Sequence, residues 1–445
     1  MKSLALIIGL TSLALALDTH AGSVAAPAEN YLDLWQLQQE ARQADPRILM
    51  AHARTQSGAG RKREAYGQLL PQLNASSSFN RSRREDDLSR TEYNGQRYAM
   101  SLSQVIYDPQ VWRSYQKFSA LAEQTEFEYE DAQVQASIDL AERYFSVLAA
   151  EDELSLAQSE LQATERNLQR VEALYQRKMA MVTDVLELTA RVDTLKADEI
   201  EASNRVAISR EGISELVGRE VQEPLKRIGA TPAFTLPVQQ QEYWVTTALT
   251  SNPALLARAQ GVSAADAALG EARAGHLPKL GLNLSAQRSD IGYEGTLTPR
   301  SDNYVASLDL RVPLYSGGST SARVAALQGD KSAAEQELEA LRRQVMRETR
   351  TAYASMAAGI SRIKATRKAL ESAEKSRIAT EKALALGVKN AVDVLDSIKE
   401  EFRARRDLYQ SQYKFITSLL VLHRWSGRLG DADIRRANDW LVAPE

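Results

Sequence analysis

Between Gln110 and Lys178 the chain contains neither proline nor glycine. A stretch of that length without a breaker folds as one uninterrupted helix, roughly 100 Å long at ~1.5 Å per residue. Its apolar residues follow a heptad, with Leu154, Leu161, Leu168 and Tyr175 in register and Ala157 and Val171 between them. The following segment continues the pattern through Val185, Leu188, Val192, Leu195, Ala202, Val206, Ile213 and Leu216. A second region does the same from Thr320 to Leu386, then through Leu395, Ile398, Phe402, Tyr409, Ile416, Leu419 and His423. Three-four spacing of this kind predicts helices that coil on neighbours, and many core positions are Ala, Ser or Thr, which allows close approach. Two antiparallel helical hairpins are expected, turning near 179–183 and 387–392. In that setting Tyr175, Phe402 and Tyr409 are read as packing residues, not as ligands.

The two regions belong to an internal duplication. Anchors of one half recur in the same order about 207 residues later. Asp45-Pro46 matches Asn252-Pro253, Leu70-Pro71-Gln72-Leu73 matches Leu277-Pro278-Lys279-Leu280, and Tyr98 with Ser101-Leu102 matches Tyr304 with Ser307-Leu308. Tyr107 matches Tyr315, Asp184-Val185-Leu186 matches Asp393-Val394-Leu395, and Gly218 matches Gly427. Each unit reads helix, strand, strand, long helix, helix.

The strands show as alternation at period two. Tyr304, Ala306, Leu308, Leu310 and Val312 fall on one face, with Ser307, Asp309 and Arg311 on the other. Leu280, Leu282, Leu284 and Ala286 alternate likewise with Gly281, Asn283, Ser285 and Gln287. The first repeat offers Leu73, Ala75 and Phe79, then Tyr98, Met100, Leu102 and Ile106. Each run is about ten residues long, the length of a tilted membrane-spanning strand. The segments joining them, Arg81 to Gln96 and Ser289 to Asn303, are strongly polar. Two soluble hairpins packed on a helix are the alternative. If the strands do enter a membrane, four cannot close a barrel, and open edges are not tolerated in lipid, so several chains must share one. Two chains would supply eight strands and three would supply twelve; periodicity does not choose.

The N-terminus has the layout of a secretory signal: Lys2, an apolar run from Leu4 to Leu17, then small residues, with cleavage expected after Thr19-His20-Ala21 or at Ala25 or Ala26. The run is short of the ~20 residues that span a bilayer. The balance of 55 Lys+Arg against 58 Asp+Glu excludes the basic surface of a nucleic-acid binder. A mean hydropathy of -0.37 argues against a polytopic helical membrane protein. With no cysteine, disulfides, thiolate metal sites, cysteine nucleophiles and a lipidated N-terminal cysteine are excluded. The 4 histidines are scattered, and no phosphate-binding glycine loop or HExxH is present, so no cofactor or metal is expected. Ser316-Gly317-Gly318 reads as a turn before a helix. The charge runs Arg83-Arg84-Glu85-Asp86-Asp87 and Lys399-Glu400-Glu401 read as solvated surface, the first at the outer mouth of a barrel.

Several local patterns resemble the TolC family of outer-membrane efflux and secretion channels. Leu102-Ser103-Gln104-Val105-Ile106-Tyr107-Asp108 with Trp112 is similar to the end of the family's first strand pair. Tyr144-Phe145-x-Val147-Leu148 is similar to its long-helix motif, and Val312-Pro313-Leu314-Tyr315-Ser316-Gly317-Gly318 to its second strand-to-helix junction. Gly387 followed by Val392-Asp393-Val394-Leu395-Asp396 resembles its periplasmic turn. The likeness runs in order from about residue 30 to about residue 430.

The resemblance implies an α+β membrane protein, internally duplicated. Four transmembrane β-strands per chain would contribute to a shared trimeric twelve-stranded barrel, continued by a long antiparallel coiled-coil helical barrel across the periplasm. The implied layout is a signal peptide (1–21), a first repeat (22–218; strands about 72–82 and 97–107, long helices about 109–178 and 183–217) and an equatorial linker (219–241). A second repeat (242–427; strands about 279–289 and 303–314, long helices about 319–386 and 393–426) and an equatorial C-terminal tail (428–445) follow. The implied function is a non-enzymatic homotrimeric channel-tunnel in the outer membrane of a Gram-negative bacterium. It would export substrates of an inner-membrane ABC or RND pump through a periplasmic adaptor protein, in type I protein secretion or multidrug efflux. Outer-membrane lipid is an expected partner and nucleic acid is not.

The family's pore closes at the periplasmic helical tip, where aspartates ring the constriction and polar contacts latch adjacent hairpins. By residue matching the pore constriction falls on Asp393 and Asp396, three residues apart and so on one helix face. Such rings favour cations; Asp393 also suits a helix cap. The gate latch falls on Thr183 and Asp184 with Lys389. Lysine lacks the bidentate fork of the arginine usual there, and Leu384 replaces the family's aromatic hydroxyl, so an Asp184–Lys389 link is expected to persist with another residue supplying the missing contact. The alternative function is a periplasmic coiled-coil structural or adaptor protein, although an adaptor would carry one hairpin inserted in β-rich domains. A trimeric enzyme lacks a nucleophile or metal in this sequence.

Overall fold

The computed structural model describes residues 31–85, 87, 90–229, 232, 234–291, 300–386, 388–389 and 391–443. The expected signal segment and Gly387 lie outside them. In chain order the elements are α1 (Leu34–Ala44), α2 (Pro46–Gly67), β1 (Gln72–Glu85), β2 (Arg90–Tyr107), α3 (Pro109–Gln176), α4 (Val182–Val217), β3 (Arg227–Ile228), α5 (Gln241–Ser251) and α6 (Pro253–Arg273). A 3-10 turn at Ala274–His276 leads into β4 (Lys279–Ile291), β5 (Ser301–Arg311), α7 (Ser319–Ala385), α8 (Ala391–Trp425), α9 (Asp431–Asn438) and β6 (Leu441–Val442).

The duplicated anchors are helix punctuation. Asp45 accepts the amide of Arg47 at 2.8 Å and Pro46 opens α2. Asn252 accepts the amide of Leu255 at 3.2 Å and Pro253 opens α6. In each case a side-chain oxygen satisfies an orphan N–H and proline fills a position needing none. Asp108-Pro109 starts α3 the same way, Asp108 accepting from Gln110 at 2.9 Å. At the other end Gly218 and Gly427 both take left-handed conformations, with φ of 76° and 68°. At Gly427 an added Cβ would lie 2.1 Å from the Ser251 carbonyl oxygen, so close approach as well as backbone freedom requires glycine.

α3 holds 68 residues and α7 holds 67, each about 100 Å long. Near its start α3 packs on α2 and α6; Lys117 pairs with Glu271 of α6 at 2.7 Å. Further along it packs on α4 and α8. α7 packs on α6 first, through Lys331–Asp266 at 2.6 Å, and then on α8. The helices therefore form two successive rows, α2–α3–α6–α7 and then α4–α3–α8–α7. At the height where one row gives way to the next, α1, α9 and the β3–β6 ribbon cover the helices and enclose the main core, which includes Leu34, Tyr144, Phe145, Leu148, Ile213, Phe415 and Leu422. Tyr144 is fully buried and donates its hydroxyl to the Lys226 carbonyl at 2.7 Å.

β1, β2, β4 and β5 form one antiparallel sheet in the order β1-β2-β4-β5. The central β2–β4 pairing joins the two repeats, with Leu102 opposite Leu284. Strand limits differ from the sequence reading. The segment from Arg81 to Gln96, read as a polar connection, is mostly paired, with β1 and β2 in register out to Glu85–Arg90. Backbone pairing needs no apolar side chain, so alternation could not reveal it. β5 ends at Arg311, ahead of Pro313, which lacks the amide a strand would use. The turns also fall slightly earlier than expected, with α3 ending at Gln176 and α7 at Ala385, and Tyr175 is 45% exposed.

Candidate functional site

The sheet has two unlike faces. Across the strands, Leu73, Leu102, Leu284 and Ala306 form one row, and Ala75, Met100, Ala286 and Tyr304 the next. Leu282–Leu308 and Leu280–Leu310 extend this apolar face toward the helices. The opposite face carries Asn74, Ser101, Asn283, Ser285 and Ser307. The apolar face is uncovered: Tyr304 is 76% and Leu308 65% exposed. Phe79 and Tyr98 meet edge-on at 5.8 Å at one end of that face, and Trp112 and Tyr115 pair at 5.7 Å beyond its other end. An apolar band between aromatic belts, backed by a polar face, is the pattern of a strand set with lipid outside and water inside. β1 and β5 are unpaired edges.

At the far end of the helices lies the tip. Lys178 turns the first hairpin with a φ of 60°, and the Met179 amide bonds back to the Leu174 carbonyl at 2.9 Å. Asp184 accepts the Met181 amide at 3.2 Å, capping α4, and Thr183 stands exposed beside it. In the second hairpin Lys389, in the bend just before α8, places its Nζ 3.1 Å from Oδ1 of Asp393 in the first turn of that helix. Asp396 is exposed and, with Asp184, lines a groove of about 850 Å³ between the first hairpin and α8, floored by Leu174, Leu188 and Leu395. Within one chain the structure thus joins Lys389 to Asp393 and places Asp184 and Asp396 on one groove. It does not pair Lys389 with Asp184. Leu384 is half-buried near the turn.

Charged residues that sequence reasoning passed over hold the hairpins together. The run Lys399-Glu400-Glu401 is not simply solvated. Glu401 is buried, pairs with Arg377 and accepts from Arg405 at 2.8 Å. Lys399 lies 3.5 Å from Glu160 Oε1, which also accepts from Arg191 at 2.8 Å. Nearer the main core, Asp152 accepts from Tyr413 at 2.7 Å and from Arg227 at 2.8 Å. Burial pushes the Asp152 carboxyl above its usual range, against the lowering effect of those two partners. Polar residues at heptad spacing on α8 were the available signal.

The family model described as outer membrane efflux protein matches residues 37–219 and 244–428, one span per repeat. The chain is 28% identical over 427 residues to the outer membrane protein TolC of Vibrio cholerae, covering 94% of this chain and 95% of that protein. It is 27% identical over 394 residues to the alkaline protease secretion protein AprF of Pseudomonas aeruginosa, covering 84% and 81%. Among solved structures, the CmeC outer membrane channel of Campylobacter jejuni superposes with a TM-score of 0.80 over 98% of each chain, at 13% identity, a likeness of fold.

Proposed function

The chain belongs to the outer membrane efflux protein family, and we propose that three copies close its four-stranded sheet into one twelve-stranded barrel. As an outer-membrane channel it provides a conduit that its helices extend into the periplasm. The observation that carries the shared barrel is the uncovered, two-faced sheet with unpaired edges at β1 and β5, and three is the number of copies that the family resemblance implies. Lipid accepts its apolar face, water its polar face, and only another strand satisfies its edges. Twelve strands follow from three chains and leave a lumen wider than the side-chain-filled interior of an eight-stranded barrel.

The channel has no catalytic step in this reading; an inner-membrane ABC or RND pump supplies the energy, and a periplasmic adaptor joins the pump to the helical tip. Relatives that match over most of the chain are named for alkaline protease secretion and for solvent efflux. What they share is the conduit, so substrate choice is assigned to the pump.

The tip is the gate. Asp396 supplies the exposed carboxylate of the constriction, and Asp393 shares its charge with Lys389. Thr183 and Asp184 of one hairpin face Lys389 of an adjacent subunit as the latch. Conductance of the purified protein in a planar bilayer tests this, alongside its mass in detergent. A trimer with a small, cation-selective conductance is expected, with selectivity falling in Asp393→Ala/Asp396→Ala. A folded monomer, or a protein that never inserts, overturns the channel assembly; selectivity unchanged in the double variant overturns the constriction.

A further inference from the structure

Where the sheet meets the helices, β2 carries a bulge. Its ladder with β4 slips between Val105 and Tyr107, leaving Ile106 without a partner there and setting Tyr107 opposite Leu280 on the apolar face. Ile106 and Trp112 stand half exposed beside it. From Tyr98 to Tyr107 the strand rises about 30 Å at ~3.3 Å per residue, or about 23 Å of height at a ~40° tilt. That is close to the ~25 Å apolar band of a membrane barrel, so Tyr107 and Trp112 fall at its periplasmic rim. A groove of about 700 Å³ opens at this level, lined by the apolar Leu69, Ile106, Trp112 and Leu277 and by the cationic Arg113 and Arg273.

The two arginines bond to neutral amides. Arg113 donates to Gln116 Oε1 at 2.9 Å and Arg273 to Gln328 Oε1 at 3.2 Å, and among the described residues neither has an ion-pair partner. The two aspartates of the groove are held by lysines, Asp108 lying 3.1 Å from Lys279 and Asp266 lying 2.6 Å from Lys331. At the opposite rim the arginines are paired with carboxylates: Arg81 with Glu92, Arg83 with Glu85 and Arg288 with Asp302. Gly270 gives Arg113 its place. A Cβ there would lie 3.1 Å from Arg113 Cδ and 3.2 Å from its Nε, so glycine lets that side chain cross α6 in spite of its cost in a helix. α3 follows β2 and α6 precedes β4, the two central strands, so the groove lies away from the edges through which copies join. We propose that the groove binds a phospholipid of the periplasmic leaflet of the outer membrane, with Arg113 and Arg273 taking its phosphate and Leu69, Ile106, Trp112 and Leu277 the start of its acyl chains. The proposal rests on the reading of the apolar sheet face as lipid-facing. Guanidinium forks match phosphate oxygens, an aromatic side chain suits the headgroup level, and Ile106 and Tyr107 carry the groove onto the apolar face.

The test is native mass spectrometry of the delipidated full-length protein in an uncharged detergent, titrated with dioleoylphosphatidylglycerol. One lipid per chain should bind, and Arg113→Gln/Arg273→Gln should weaken that binding at least tenfold. Each single variant should weaken it several-fold, which decides the matter even where the double variant does not fold. Arg81→Gln, at the opposite rim, should leave it unchanged. Dioleoylglycerol, which has the chains without the phosphate, should not bind, and inorganic phosphate at the same concentration should not compete. Lipid binding unchanged in the arginine variants, or equal binding of dioleoylglycerol, overturns the site; displacement by inorganic phosphate makes it a site for a soluble anion and overturns it as well. Leu284→Arg and Ser285→Arg keep the two readings apart. Loss of folded protein at Leu284→Arg alone, with lipid retained by the arginine variants, leaves the lipid-facing sheet standing without the site; equal losses at both positions remove the lipid-facing reading and the site with it.

Discussion

The hydroxyl of Tyr413 donates to the carboxylate of Asp152 at 2.7 Å, joining residues 261 positions apart and thereby the last long helix to the first. Arg227, on the strand of the equatorial ribbon, donates to the other oxygen of Asp152 and also to Glu151, which in turn holds Arg210 of α4. Two adjacent carboxylates of α3 thus organise its neighbours, Asp152 holding α8 and β3 and Glu151 holding β3 and α4. Truncating a partner of a buried charge costs more than the bond itself contributes, because the remaining group stays buried and unpaired. Tyr413→Phe should lower stability by about 1–3 kcal/mol. Asp152→Ala, which leaves the buried Tyr413 hydroxyl without its acceptor and Arg227 with Glu151 alone, should cost more, about 3–5 kcal/mol. Equilibrium or thermal unfolding in detergent measures both, and equal effects would show that Arg227 does not depend on Asp152.

A second carboxylate gives a pH dependence with a defined sign. Burial acts to raise the Asp433 carboxyl, but the His423 side chain, the Gly430 amide and Arg436 outweigh it and hold the group below its ordinary 3.8. The folded protein binds this proton more weakly than the unfolded chain does. The contribution to stability is complete above 3.8 and is lost as pH falls through the lower folded value. Asp433→Asn should lower the melting temperature at neutral pH, and the gap to wild type should close under strong acid. A gap independent of pH would assign the loss to packing of α9.

Two glycines at matching places in the repeats should respond differently. Gly218 and Gly427 both have positive φ, which costs any L side chain about 1–3 kcal/mol. At Gly218 an added Cβ meets only the Ala44 Cβ at 3.3 Å, whereas at Gly427 it runs into the Ser251 and Asn252 backbone. Gly427→Ala should therefore destabilise clearly more than Gly218→Ala, as read by melting temperature or yield of folded protein.

The two faces of the sheet make opposite predictions for one substitution. Leu284 lies in the middle of the apolar face, and Ser285 next to it lies on the polar face. Leu284→Arg should cost about 2–4 kcal/mol in the membrane, while Ser285→Arg should be tolerated. The fraction of protein recovered as folded species from outer membranes distinguishes them. Similar losses at both positions would mean that the faces are not lipid and lumen.

Much of this architecture is legible in the residues because its determinants are local. A helix the length of α3 follows from the absence of breakers. Strand faces follow from alternation, and the starts of α2, α3 and α6 from Asp or Asn before Pro. At the tip, Lys389 and Asp393 are four residues apart, but Lys389 sits in the bend before α8, so their pairing depends on how the turn enters the helix. The extension of β1 beyond residue 82 and of β2 ahead of residue 97 was not legible, because that stretch is dominated by polar side chains and only the backbone register shows it. The charge run at Lys399 looked solvated for a related reason: burial of Glu401 and the tie to Glu160 depend on helices that the chain reaches only after long separations.

By itself, then, the sequence determined the duplication, the long helical hairpins, the amphipathic strands and the family. Each depends on spacing along a few dozen residues and on the hydrophobic effect acting on one face. Only the tertiary structure decided that β2 pairs with β4 to fuse the repeats, that Tyr413 and Asp152 meet in the core, and that Glu160 faces both Arg191 and Lys399. Those choices join residues far apart in the chain, where geometry and burial select among many partners of equal chemistry.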